Sequence, residues 1–303
     1  ATSRDGLIAF ALEKCGVIPI GATPSAVQVT SAARELNFLA KAWQADGLQL
    51  WARKIGYLFL AANTTSYTLG PGGSNATRSY VKTAVATAAS SGATSIVVDS
   101  ISGISASDKI GIELDNGTLQ WTTVSGAPSG STITLAAALT DDVAVDNTVF
   151  TYTTIIERPL RVLQALRLDT DDVSTPLEVQ TIDEFHELPN LTTDGPVTQI
   201  AFQPTLSTAT MFVWPQTDDV SDVIKFWYHR PFEDFDATGD EPDFPQEWYL
   251  ALGYGLAQIL CDTYGVPASA ANKIETKAMY YHDLALSFDQ EQGSVYFEPD
   301  DRG

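Results

Sequence analysis

Histidine, cysteine, methionine and basic residues are all scarce in this chain. Its 303 residues hold three histidines, two cysteines, two methionines and 17 lysines and arginines, against 38 aspartates and glutamates. Each shortage excludes something. Cys15 and Cys261 have no Cys or His at ligand spacing, so neither a zinc site nor a disulfide framework is indicated. Both sit in amphipathic helical patterns and read as buried free thiols in a reducing compartment. His186, His229 and His282 form no pair at ligand spacing and lie in no zinc-protease motif, so they read as ordinary side chains. There is no Gly-x-Ser-x-Gly elbow. The glycine-rich Gly70-Pro71-Gly72-Gly73-Ser74 lacks the Gly-Lys-Ser/Thr that would cradle phosphates, and reads as a turn. No apolar run approaches the roughly 18 residues of a membrane-crossing helix. The short run from Leu7 to Leu12 ends at Glu13-Lys14 and reads as a helix, not a signal peptide.

Carboxylates are plentiful, yet none assembles into a recognisable site. Asp169, Asp171 and Asp172 lack the glycine and distal glutamate of an EF-hand loop and read as a solvated loop. Glu157 and Asp169 cannot be paired into glycosidase geometry from sequence. No catalytic, cofactor-binding or metal-ligating residue is therefore expected, and the chain reads as a non-enzyme. The formal net charge is −21 and is unevenly spread. Positions 1–80 carry a net +3, 81–155 a net −5, and 156–303 a net −19. A surface this negative repels phosphate and disfavours tight nonspecific DNA binding. Solubility is the favoured explanation on charge alone, and a wall past which DNA slides without sticking is the sharper alternative.

What is present is a folded core. Six tryptophans, 11 tyrosines and 13 phenylalanines are too many aromatics for a disordered acidic chain. The N-terminal part predicts two helices. The first carries Leu7, Ile8, Ala11, Leu12 and Cys15 at helical spacing, capped by Thr2 or Ser3 and stopped by Gly16. The second starts at Thr23-Pro24, carries Ala32, Leu36, Ala40 and Trp43, and stops at Gly47. Strands are predicted over 50–61 and around 67–69. At about Tyr80 the composition shifts to Ala, Thr, Ser, Val and Asp. Short alternating segments recur over 95–98, 109–114, 119–124, 132–135 and 148–152, separated by turn residues. Beyond Thr154 the earlier composition resumes, with strands at 161–168, 177–179, 198–202, 210–214 and 223–229 and a short helix at 182–188. The segment Lys225 to Arg230 is aromatic but acid-flanked, which favours a core strand over base stacking. Two helices close the chain, the first opened by Pro245 and stopped by Gly265, the second over 269–289.

The fold class expected is α+β: a helical scaffold with a small sheet, interrupted by an inserted all-β sandwich or barrel. The scaffold takes 1–79 and 155–303, the insertion 80–154, and 290–303 forms an extended tail. Leu36, Trp43, Trp51, Trp248, Leu252 and Leu256 are the candidate scaffold core or inter-subunit packing residues. Val295, Tyr296 and Phe297, a hydrophobic β-prone tripeptide beyond Gly293, are candidates for contacting a partner, by adding a strand to its sheet or filling a pocket. The alternative is that they fold back on their own scaffold.

Both ends of the chain carry a pattern. It runs Leu7-Ile8-x2-Ala11-Leu12-x2-Cys15-Gly16-Val17-Ile18, Pro24-Ser25, Ala32-x3-Leu36-Asn37-x5-Trp43-x3-Gly47-Leu48-x2-Trp51. It closes with Phe244-Pro245-Gln246-Glu247-Trp248, Leu256-Ala257 and Tyr264-Gly265-Val266. In order and spacing this resembles the head-to-tail adaptors of tailed bacteriophages, close to the tail accessory factor, or packaged-DNA stabilisation, family of short-tailed phages. The insertion takes no part in the resemblance. What the resemblance implies is a structural virion protein, assembled in the host cytoplasm and placed at the head-to-tail interface. Copies would form a ring, usually of twelve, between the portal protein and the tail tube or nozzle protein. The ring would lengthen the channel for double-stranded DNA, without binding it specifically, and retain the packaged genome; no membrane is involved. Two other classes stay open: a carbohydrate-binding or adhesion protein acting through the β insertion, and a cell-wall hydrolase using carboxylates that sequence does not pair.

Overall fold

The computed structural model describes residues 3–46, 50–217 and 219–289. Two helices come first, α1 (Arg4–Lys14) and α2 (Ala26–Asp46), followed by a single 3-10 turn at Leu50–Ala52. Nine strands follow: β1 (Arg53–Phe59), β2 (Ser66–Leu69), β3 (Ala76–Thr77), β4 (Val81–Thr87), β5 (Ser95–Val98), β6 (Lys109–Glu113), β7 (Leu119–Thr123), β8 (Thr132–Thr134) and β9 (Thr148–Tyr152). Then come β10 (Arg161–Leu168), β11 (Ser174–Gln180), the short α3 (Ile182–His186), β12 (Gln199–Pro204), β13 (Ala209–Trp214) and β14 (Val223–His229). A 3-10 turn at Gln246–Trp248 leads into α4 (Tyr249–Thr263), and α5 (Ala268–Phe288) completes the described chain.

The chain divides into two compact units, Ala1–Ala52 with Phe232–Gly303, and Arg53–Pro231. The first is helical. Ser3 caps α1, its hydroxyl accepting the Gly6 N–H at 3.3 Å, and Gly16 ends it at φ +70°. The cap of α2 is Ser25, not Thr23: its hydroxyl accepts the Gln28 N–H while the Gln28 carbonyl oxygen accepts the Ser25 N–H at 2.9 Å. That reciprocal pair is the capping box, which the Thr23-Pro24 start signal obscured in the sequence. α4 is the hub. Every residue from Ala251 to Ala257 is buried, because α1, α2 and α5 all pack on it. Two glycines make room: a Cβ at Gly253 would meet the Phe10 ring at 2.7 Å, and one at Gly255 would meet Leu39 and Trp43 at 3.1 and 3.2 Å.

The second unit is all but wholly β. Its larger sheet has eight strands in the order β2-β13-β12-β11-β10-β14-β1-β3, and its smaller one six, in the order β7-β6-β9-β4-β5-β8. Among the described strands, only β11 and β12 pair in parallel. This overturns the expected helical scaffold with a small sheet and an inserted β domain. Fourteen strands among the described residues make the protein mostly β, and of the described helices all but the short α3 belong to a separate unit. The physical reason lies in pairing. β1 is matched to β14 along its whole length, from Arg53↔His229 to Phe59↔Val223, and β10 flanks β14 on its other side. A period-two pattern announces a strand but not its partner, so strands scattered around the insertion did not read as one large sheet.

The two sheets share an aromatic cluster. The Phe59 ring lies 4.9 Å from Phe150, 5.1 Å from Trp121, 5.3 Å from Tyr80 and 5.8 Å from Tyr152, centroid to centroid. Phe59 belongs to the larger sheet and Trp121, Phe150 and Tyr152 to the smaller one, so the cluster is a continuous apolar seam between them. Burial pushes the phenols of Tyr80 and Tyr152 up to about 12.

Candidate assembly surface of the helical unit

The six scaffold candidates fall together inside the helical unit. Leu36, Trp248, Leu252 and Leu256 are buried in its core, and Trp43 and Trp51 pack partly buried against it. Trp51 stacks on Phe232 at 4.6 Å, and Trp43 lies 5.7 Å from Trp248 and 4.9 Å from His282. Val295, Tyr296 and Phe297 lie outside the described residues.

The remaining sequence candidates are explained locally. Asp169 accepts the N–H groups of Asp171 and Val173 at 3.0 and 2.8 Å, so it shapes its own turn, and Asp172 pairs with Lys82 at 3.2 Å. Glu157 accepts the Tyr228 hydroxyl at 2.8 Å, which together with burial raises the Tyr228 pKa strongly. Phe226 and Tyr228 are core residues of β14, while Lys225 lies 5.1 Å over the Trp227 ring. His229 is buried, and burial with the nearby Arg53 and Arg161 lowers its pKa below 6.5. Among the described residues, no group of three or more His, Cys, Asp or Glu is placed to hold a metal ion. No described helix is long and apolar enough to cross a membrane.

What sequence reasoning missed is on the outside. On α5, Tyr280, Leu284 and Phe288 are 61, 53 and 74 % exposed, and at four-residue steps they form one row. The exposed Lys273 and Lys277 continue that row toward the helix start. On α2, Val27 and Phe38 are exposed, and the seven- and four-residue spacing of Val27, Arg34 and Phe38 puts them on one face, opposite the buried Ala32, Leu36 and Ala40. A groove of about 390 Å³, lined by Leu39, Trp43, Gln258, Met279, His282 and Asp283, opens between α2 and α5 with Gly255 at its floor. The signal was legible in principle, since α5 carries apolar residues on more than the one face its buried stripe of Ile274, Ala278 and Ala285 requires. In the β unit, the exposed large apolar residues Val145, Val173, Val179 and Leu206 are scattered.

No family model matches the chain. No curated protein matches it. Among solved structures, the Gp54 tailspike of Acinetobacter baumannii bacteriophage AP22, in complex with A. baumannii capsular saccharide, is similar over a small part. The identity is 17 %, the TM-score 0.23, and the similarity covers 26 % of this chain and 16 % of the tailspike. At that overlap the likeness informs neither fold nor function.

Proposed function

We propose that this chain is a structural assembly protein of a tailed-phage virion, a head-to-tail adaptor whose copies join through the helical unit into a ring between portal and tail. The observation that carries the reading is the pair of unpartnered apolar helix faces, Tyr280–Leu284–Phe288 on α5 and Val27–Phe38 on α2. Monomeric proteins rarely leave large apolar side chains in contiguous rows, whereas helix rows of this kind pack into the grooves of a neighbour's helices. A ring requires two different faces on each copy, and the helical unit offers two. The sequence pattern that resembles the adaptor family lies in the segments that build this unit. The net charge of −21 suits a channel past which DNA slides without adhering.

The test is mass in solution together with electron microscopy of the purified chain, alone and with a portal ring. Ring-shaped oligomers, formed alone or templated on the portal, are the expected result. A chain that stays monomeric in both conditions contradicts the reading, and so does tight, salt-sensitive binding of double-stranded DNA.

A further inference from the structure

Cys15 and Cys261 stand 246 residues apart in sequence and touch in space. Cys15 is the last residue of the α1 turn, its backbone N–H held by the Ala11 carbonyl. Its thiol donates to the Ala257 carbonyl at 3.1 Å. Cys261 sits one turn further along α4, and its thiol points back at the Cys15 sulfur at 3.7 Å. The two sulfurs thus form a short chain, thiol to thiol to carbonyl, across the α1–α4 contact. Both residues are buried, at 8 and 3 % exposure.

We propose that Cys15 and Cys261 are an oxidative modification site, where a peroxide converts the contacting thiols into an intramolecular disulfide that staples α1 to α4. A disulfide bond is about 2.05 Å long, so each sulfur needs to move by less than about 1 Å. Cys15 has freedom to do so, because the helix ends there and Gly16 follows at φ +70°. The chemistry is balanced with hydrogen peroxide as oxidant. The sulfur of Cys15, the more exposed residue of the two, attacks one peroxide oxygen. The O–O bond breaks, the departing hydroxide takes the thiol proton as water, and Cys15 becomes a sulfenic acid. The Cys261 sulfur then attacks the Cys15 sulfur, the S–O bond breaks, and a second water leaves with the Cys261 proton. Two thiols are oxidised and one peroxide is reduced to two waters. Burial and the neighbouring Cys261 push the Cys15 thiol up to about 12. It is therefore mostly protonated at neutral pH, and closure is slow compared with an exposed cysteine. The staple joins α1 to α4, the first and third helices of a unit assembled from both ends of the chain, and it does not depend on the ring reading.

The experiment uses the full chain, reduced and then exposed to millimolar hydrogen peroxide. Intact mass should fall by two hydrogen atoms per chain, and a non-reducing peptide map should link the Cys15 and Cys261 peptides within one chain. The thermal midpoint of the helical unit should rise by roughly 5–15 °C and return on treatment with dithiothreitol. In Cys261→Ser the link should vanish, and a sulfenic-acid trap should label Cys15 instead; Cys261→Ala serves the same purpose if the serine variant does not fold. Two free thiols persisting after prolonged exposure would overturn the proposal. So would independent oxidation of each sulfur to sulfinic acid without a link, or a link that forms only between chains.

Discussion

The helical unit and the β unit bury their cores in different ways, and their surfaces differ accordingly. The β unit is the larger, yet its exposed large apolar residues are isolated: Val145, Val173, Val179 and Leu206. Isolated exposed apolar groups are ordinary on any protein surface. The helical unit exposes Ile20, Val27, Phe38, Leu250, Met279, Tyr280, Leu284 and Phe288, and most of these fall on two helices. A sheet strand has two faces, and the inner faces of both sheets here are satisfied by their own core clusters and by the seam around Phe59. α2 and α5 each spend one face on α4 and still carry apolar residues on another. The difference is that exposed large apolar residues gather on two helices of the helical unit and on no single element of the β unit, and the proposed assembly role rests on that contrast.

That comparison can be broken first at the cores. Trp248→Ala and Phe226→Ala each remove a fully buried aromatic and should cost about 3–5 kcal/mol. Followed by denaturant unfolding, the first should shift a transition belonging to the helical unit and the second one belonging to the β unit. A single transition moved equally by both would mean that the units are energetically one body.

Glycine substitutions sharpen the contrast at a smaller scale. Gly56→Ala would drive a Cβ to 2.6 Å from Phe226 and 2.7 Å from Ile156, both buried, and should cost about 1–3 kcal/mol. Gly253→Ala meets Phe10, which is only partly buried, so the ring can swing away. There the roughly 1 kcal/mol gained in helix propensity offsets the contact, and the net should lie within about 1 kcal/mol of zero. A larger loss at Gly253 than at Gly56 would show that the helical core is the tighter of the two.

The smallest effect is a pH dependence confined to the β unit. His229 has a folded pKa lowered below 6.5 by burial, Arg53 and Arg161. The unfolded chain therefore binds the proton more readily, and stability is complete above about pH 6.5 and declines as pH falls below it. His229→Gln should flatten this slope in the β unit's transition and leave the helical unit's unchanged.

Much of the secondary structure was legible in the residues. The strands at Arg161–Leu168, Val223–His229, Ser95–Val98 and Thr148–Tyr152 coincide with their expected spans, because each is a short, apolar-rich run set off by turn or loop residues. β4 was not read, since Val81-Lys82-Thr83-Ala84-Val85-Ala86-Thr87 is small and weakly alternating, and only pairing with β9 and β5 makes it a strand. Leu50 to Ala52 was read as strand but forms a 3-10 turn. Trp121 and Tyr152 fall in the alternating segments of 119–124 and 148–152, whose pattern gives no hint that they join the seam with Phe59. The contact of Cys15 with Cys261 left no local trace, because spacing along the chain says nothing about which helices cross. The assembly surface was half visible: the buried stripes of α2 and α5 follow from periodicity, while the exposed rows become meaningful only once the buried faces are known.

The account rests on the claim that the helical unit, not the β unit, joins copies of the chain. The most direct test makes the same change in each. Leu284 on α5 is 53 % exposed and Leu206, in the β12–β13 turn, is 98 % exposed, so an aspartate at either site leaves the cores untouched. Assembled mass should be measured by sedimentation velocity for the wild type, Leu284→Asp and Leu206→Asp, each with and without a portal ring. Leu284→Asp should weaken assembly at least tenfold, a loss of about 1.4 kcal/mol or more per contact, while Leu206→Asp assembles as the wild type does. Undiminished assembly by Leu284→Asp, or its loss in Leu206→Asp alone, would contradict the account.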